Sequence, residues 1–77
     1  MNYMNTTEMQ EEFKIEGEYI ELIQLLKALG MASTGGHAKM IVDEGMVVRD
    51  GEREYRRRAK IRPGETLQID ETTIVLV

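Results

Sequence analysis

The sequence has no cysteine and no tryptophan, a single proline and a single histidine, and only 5% of its 77 residues are aromatic. Without cysteine, no disulfide can brace the fold. One histidine and no thiol leave too few ligands for the usual structural zinc sets, so neither a metal nor a cofactor is expected. One histidine also leaves no Ser–His–acid set to assemble. The adjacent carboxylates Asp43 and Glu44 read as a solvated helix surface. No enzyme and no small-molecule substrate are therefore expected. No apolar run approaches the roughly 18 residues that a membrane span needs. The longest, Ile74-Val75-Leu76-Val77, has four. No basic stretch followed by an apolar one opens the chain, so it shows no sign of a secretory signal, and a cytoplasmic location with no membrane partner is expected.

What is present fits one small globular domain. Hydrophobic residues make up 42% and charged residues 31%, a balance that supports a packed core rather than disorder. A chain this short buries only about 60% of its unfolded surface, so that core is small.

The formal net charge is −4, but its distribution is uneven. Residues 1–26 hold six acids and one base, residues 27–62 nine bases and five acids, and residues 63–77 three acids and no base. A basic middle between acidic ends says more about partners than the total does.

Residues 1–11 lack periodicity and read as a flexible acidic tail, leaving 12–77 as the domain. Phe13 and Ile15 alternate with polar neighbours as in a short strand closed by Gly17. Over residues 18–29, Tyr19, Leu22, Ile23, Leu26 and Leu29 fall at helical spacing. Glu18 and Glu21 are expected in the first turn and Lys27 in the last, with Gly30 as the stop. A second helix is expected from Gly35 to about Glu44, capped by Thr34 or Ser33 and stopped by Gly45.

Strands follow. Met46-Val47-Val48-Arg49 runs into Asp50-Gly51, a type I′ hairpin signal. Arg62-Pro63-Gly64-Glu65 reads as a type II turn. Leu67 and Ile69 alternate, and the apolar 73–77 run is expected to be covered, beside the Phe13–Ile15 strand. The expected order is β-α-α-β-β-β-β, an α+β domain with two helices packed on a small, mostly antiparallel sheet.

Residues 55–62 carry the densest charge. Read as a strand, this run puts Arg56, Arg58, Lys60 and Arg62 on one face, roughly 6.6 Å apart. Like charges so placed repel unless a polyanion covers them. Arg57 falls on the other face. Charged residues also protect edge strands from aggregation, but four in register exceed that need. A second anion-binding feature is Ser33-Thr34-Gly35-Gly36-His37 at the second helix start. Hydroxyls and free backbone amides meet the positive dipole end there, and Gly35 and Gly36 would let a phosphate come close. His37 could touch a phosphate or simply stand at the helix start.

From Tyr19 to Asp70 the chain resembles the S-four RNA-binding domain family. The resemblance rests on Leu25-Leu26-Lys27-Ala28-Leu29-Gly30, Ala32-Ser33-Thr34, Ala38-Lys39-Met40-Ile41, Glu44-Gly45-Met46-Val47-Val48-Arg49-Asp50-Gly51 and Lys60-Ile61-Arg62-Pro63-Gly64-Glu65. It is similar to the small, stand-alone, ribosome-associated branch of that family. It implies the alpha-L motif, in which two helices and the following hairpin form one RNA-binding surface. By position it implicates Lys27, Ser33, Thr34, Lys39, Arg49, Arg56, Arg57, Arg58 and Lys60. The chain departs from the commoner family pattern at Gly35 and Met40, where basic residues are frequent. That shifts weight onto the amides of Gly35 and Gly36 and onto the arginine run.

The expected function is non-catalytic binding of structured RNA, ribosomal or transfer RNA, with the ribosome as a partner. The alternative is an adaptor whose basic face docks on an acidic protein. Reading DNA with the second helix ranks lower, because that helix offers Lys39 but no Asn, Gln or Arg for base edges.

Overall fold

The computed structural model describes residues 9–77. The elements are β1 (Met9–Phe13), β2 (Ile20–Glu21), α1 (Leu22–Ala28), α2 (Gly35–Asp43), β3 (Val47–Arg49), β4 (Glu52–Arg53), β5 (Lys60–Ile61), β6 (Thr66–Ile69) and β7 (Thr72–Leu76). Five strands form a sheet in the order β1-β7-β6-β3-β4, and β2 pairs with β5 in a separate ribbon. Every pairing is antiparallel except β1 with β7. Two helices with a mostly antiparallel sheet agree with the α+β expectation. No helix among the described residues is long and apolar enough to cross a membrane.

A seven-residue helix such as α1 is not stable alone, since isolated helices shorter than about 12–15 residues are marginal in water. Burial holds it. Leu22, Leu25 and Leu26 are fully buried and join Ala38 and Val42 of α2 with Val47, Ile61, Leu67, Ile74 and Leu76 of the strands in one core. Each such leucine contributes about 1.5–3 kcal/mol relative to an exposed one. α2 is capped as expected, with Thr34 Oγ1 accepting from the His37 N–H at 3.0 Å.

Three expectations are corrected. The first concerns the helix start, expected near residue 18. Ile20 and Glu21 instead pair with Ile61 and Lys60. No acid lies in the first turn of α1, and Glu21 is its N-cap without a side-chain cap bond. The second concerns the tail. Met9, Gln10 and Glu11 belong to β1 and pair with Thr72, Thr73 and Ile74, because β7 has an open edge that this stretch can fill. Residues 1–8 of the expected tail lie outside the described residues. Ile15 follows β1 and is buried, its N–H donating to the Val77 carbonyl at 2.9 Å.

The third concerns residues 55–62, of which only Lys60 and Ile61 are strand. The backbone before them has another task. The first amides of α1 need acceptors, and the Leu22 N–H donates to Ala59 O at 2.9 Å and the Ile23 N–H to Arg57 O at 3.2 Å. The Leu22 bond continues the β2–β5 register by one rung, and before it residues 56–59 close a turn, the Ala59 N–H donating to Arg56 O at 3.1 Å, so the strand goes no further.

The Asp50–Gly51 hairpin has φ of +53° and +85°, as a type I′ turn requires. Gly45 carries a double constraint. Its φ is +75°, and a Cβ there would lie 3.0 Å from the Tyr55 hydroxyl.

Candidate nucleic-acid interface

The loop between β4 and β5 presents the arginines. Its residues do not form a long strand, yet the partition expected from alternation persists. Arg56, Arg58, Lys60 and Arg62 line one cleft of about 460 Å³ with Arg49 and Ala59. Arg57 leaves in another direction and binds Asp43 at the end of α2. Ala59 and Ile61 are buried. Burial of those two, together with the carbonyls that cap α1, fixes which side chains turn outward. A neighbouring cleft of about 610 Å³ is larger, but Asp50, Glu52 and Glu54 balance Arg49, Arg53 and Arg56 there. The smaller cleft has no acidic residue in its lining.

The cations of this cleft are not equivalent. Arg49 is mostly buried and tied inward. Its Nε and Nη2 donate to Glu65, both at 3.0 Å, its Nη1 to Glu54 at 3.1 Å, and Nη2 also to the Lys60 carbonyl at 2.9 Å. Four of its five donors are thus engaged inside the protein. Glu54 is buried and also accepts from the Arg56 N–H, Nε and Nη2. Those Arg56 bonds, with help from Arg49, outweigh burial and lower the Glu54 carboxyl to about 2. The Arg56 side chain nevertheless remains 74% exposed.

Arg58 is 80% exposed and lies against Glu21 with Nε and Nη2 at 3.2 and 3.3 Å from its two oxygens. Lys60 and Arg62 have no carboxylate partner among the described residues. Both sit over the Tyr19 ring, 5.0 and 5.7 Å from its centre, within cation–π range.

Tyr19, Glu21, Glu54 and Arg62 are the residues that position reasoning from the resemblance does not single out. Arg62 belongs to the alternating cationic face. Tyr19 shares the helical spacing of the leucines in the sequence, and only the strand pairing of Ile20 with Ile61 brings it to Lys60.

The other expected site residues form a second group. At the start of α2, the Ser33 N–H donates to His37 Nδ1 at 3.3 Å, reciprocating the Thr34 cap on His37. His37 Nδ1 thus accepts a hydrogen bond within the helix-start cap. A methyl group on Gly35 would have no neighbour within 4 Å, and one on Gly36 would meet only Thr34 Oγ1, at 3.9 Å. Lys27 and Lys39 are exposed and form no ion pair among the described residues. Arg57 meets α2 at Asp43, the end opposite this group, and eight residue steps of helix span about 12 Å. The structure thus joins Arg49, Arg56, Arg58 and Lys60 in one cleft, and Ser33, Thr34, Gly35, Gly36 and His37 are not in its lining.

The molecule is a small α+β domain with two helices, a mostly antiparallel sheet and a cation-lined cleft. The sequence comparisons specify the family. The profile of the S4 domain matches residues 13–77, and the chain belongs to that family. It is 37% identical over 59 residues to the protein named "Putative RNA-binding protein YbcJ" of Escherichia coli (strain K12), covering 77% of this chain and 84% of that one. "Uncharacterized protein YbcJ" of Shigella flexneri matches to the same extent.

Proposed function

We propose that this protein is a non-catalytic module that binds structured RNA, ribosomal or transfer RNA, through the phosphates that reach the Arg56–Arg58–Lys60–Arg62 cleft. The observation that carries this reading is a cleft lined by five cations, of which Lys60 and Arg62 have no carboxylate partner among the described residues, in a chain of net charge −4. Membership of the S4 domain family and the RNA-binding name of the Escherichia coli relative support it. Phosphate contacts supply affinity and register but little sequence information, and A-form RNA is read mainly by shape, phosphates and 2′-hydroxyls. Lys27, Lys39 and the α2 start would add contacts where the RNA is large enough to reach both groups. Ribosome association in the cytoplasm extends the same reading.

The test is a competition among a transfer RNA, duplex RNA, duplex DNA and an acidic protein, followed by a salt titration. Structured RNA should compete best. The logarithm of its affinity should fall with that of salt by about 0.7–0.9 per phosphate contact. Preferential capture of the acidic protein would replace this reading with the adaptor one. Cross-linking in cells with sequencing of the attached RNA would then identify the target.

A further inference from the structure

The cleft's exposed cations divide by partner. Lys60 and Arg62 lie over an aromatic ring and form no salt bridge among the described residues, whereas Arg58 forms one with Glu21. Glu21 offers two oxygens to Nε and Nη2 in the parallel geometry that a guanidinium also makes with phosphate. We propose that Glu21 is a built-in competitor of RNA phosphate for Arg58 and so determines how strongly the cleft binds. This inference rests on the RNA-binding reading above.

Three features single out Glu21 among the carboxylates. Glu54 is buried and shared between Arg49 and Arg56, so it cannot be released without disturbing the interior. Asp43 holds Arg57, which does not line the cleft. The Glu21–Arg58 pair is the exposed one at the cleft, with side chains 28% and 80% accessible, and exposed pairs contribute little to stability. It is also held in place. Glu21 pairs with Lys60 across β2–β5, and as the α1 N-cap its backbone is fixed while its carboxylate makes no cap bond. The carboxylate is therefore free to hold Arg58 toward the cleft until a phosphate replaces it. Lys60 and Arg62 can receive the first phosphate with no salt bridge among the described residues to break.

The experiment is a double-mutant cycle on the full chain, with Glu21→Gln, Arg58→Gln and the pair, titrated with transfer RNA at several salt concentrations. Glu21→Gln should bind about three- to tenfold tighter, with a steeper salt slope by up to about 0.9, because no uncovered carboxylate recruits a counterion when Arg58 leaves it. Arg58→Gln should weaken binding, and adding Glu21→Gln to it should restore nothing. Equal gains from Glu21→Gln with and without Arg58 would reveal a general charge effect and overturn the proposal. RNA binding by the wild type that Glu21→Gln leaves unchanged would overturn it while sparing the RNA-binding reading. Binding by neither protein, with both folded by thermal unfolding, would overturn both.

Discussion

Arg57 grips Asp43 with two parallel donors, Nε at 3.0 Å and Nη2 at 2.6 Å, and so ties the arginine loop to the last turn of α2. The Arg57 guanidinium in turn holds the Asp43 carboxyl below the usual carboxylate range. Both side chains are about half exposed, and exposed pairs contribute little to stability. Arg57→Gln should therefore leave the urea midpoint nearly unchanged. Its effect on RNA affinity should be smaller than that of Arg58→Gln, since Arg57 leaves the cleft. An equal or larger loss for Arg57→Gln would mean that the RNA displaces Asp43 and that the interface extends around the loop toward α2.

Arg49 has the opposite character. The family resemblance implies a contact with RNA, but its donors serve Glu65, Glu54 and the Lys60 carbonyl. Removing it leaves Glu65 without its guanidinium and Glu54 with Arg56 alone, and breaking such a pair from one side costs more than the pair itself contributes. Arg49→Ala should destabilise by about 2–4 kcal/mol, a large part of the stability of a domain this small. Arg49→Lys should rescue little, because an ammonium cannot span both Glu65 oxygens. Thermal unfolding measures both variants. A neutral Arg49→Ala would show that the network is incidental to stability.

Residues with local causes are legible in the sequence. Asp50-Gly51 dictates its turn through backbone chemistry alone. The leucines of α1 and the Thr34 cap of α2 act within a few residues of themselves. The α1 start is not legible, because it is set by carbonyls of Arg57 and Ala59, more than thirty residues away. The turn closed by the Ala59 N–H on Arg56 O explains why the 55–62 run is mostly loop. The pairing of guanidiniums with Glu21, Asp43 and Glu54 is hidden for a related reason. Like charges adjacent in sequence suggest a bare cationic face, while their partners come from β2, α2 and the end of the hairpin. The edge at β7 likewise recruits Met9–Glu11, a stretch with no periodicity of its own.

Acid should weaken the fold through Glu54. Its carboxyl lies at about 2 in the native state against an ordinary 4.5, chiefly because Arg56 donates to it. A lowered native value favours the folded state fully above the unfolded value, and that gain disappears as pH falls from about 4.5 toward 2. The amount at stake, discounted for the water around the exposed Arg56, is on the order of 2 kcal/mol. Urea midpoints should be flat from pH 7 to about 5 and then fall. Glu54→Gln should start lower at neutral pH and show a shallower decline. Identical acid profiles for the two proteins would assign the acid sensitivity to other carboxylates, with Asp43 the first to examine.

Gly36 separates stability from binding. It lies in the first turn of α2, its φ is not in the left-handed region, and a methyl group there would meet only Thr34 Oγ1, at 3.9 Å. Neither packing nor backbone geometry therefore requires glycine at this position. Gly36→Ala should raise stability by up to about 1 kcal/mol. If RNA phosphates approach the backbone amides at this helix start, the same methyl group obstructs them, and affinity for transfer RNA should fall several-fold as the melting temperature rises. Changes of opposite sign from one methyl group cannot come from a folding defect. A stabilised variant with undiminished affinity would remove Gly35, Gly36 and the α2 start from the interface and leave the phosphates to the arginine cleft alone.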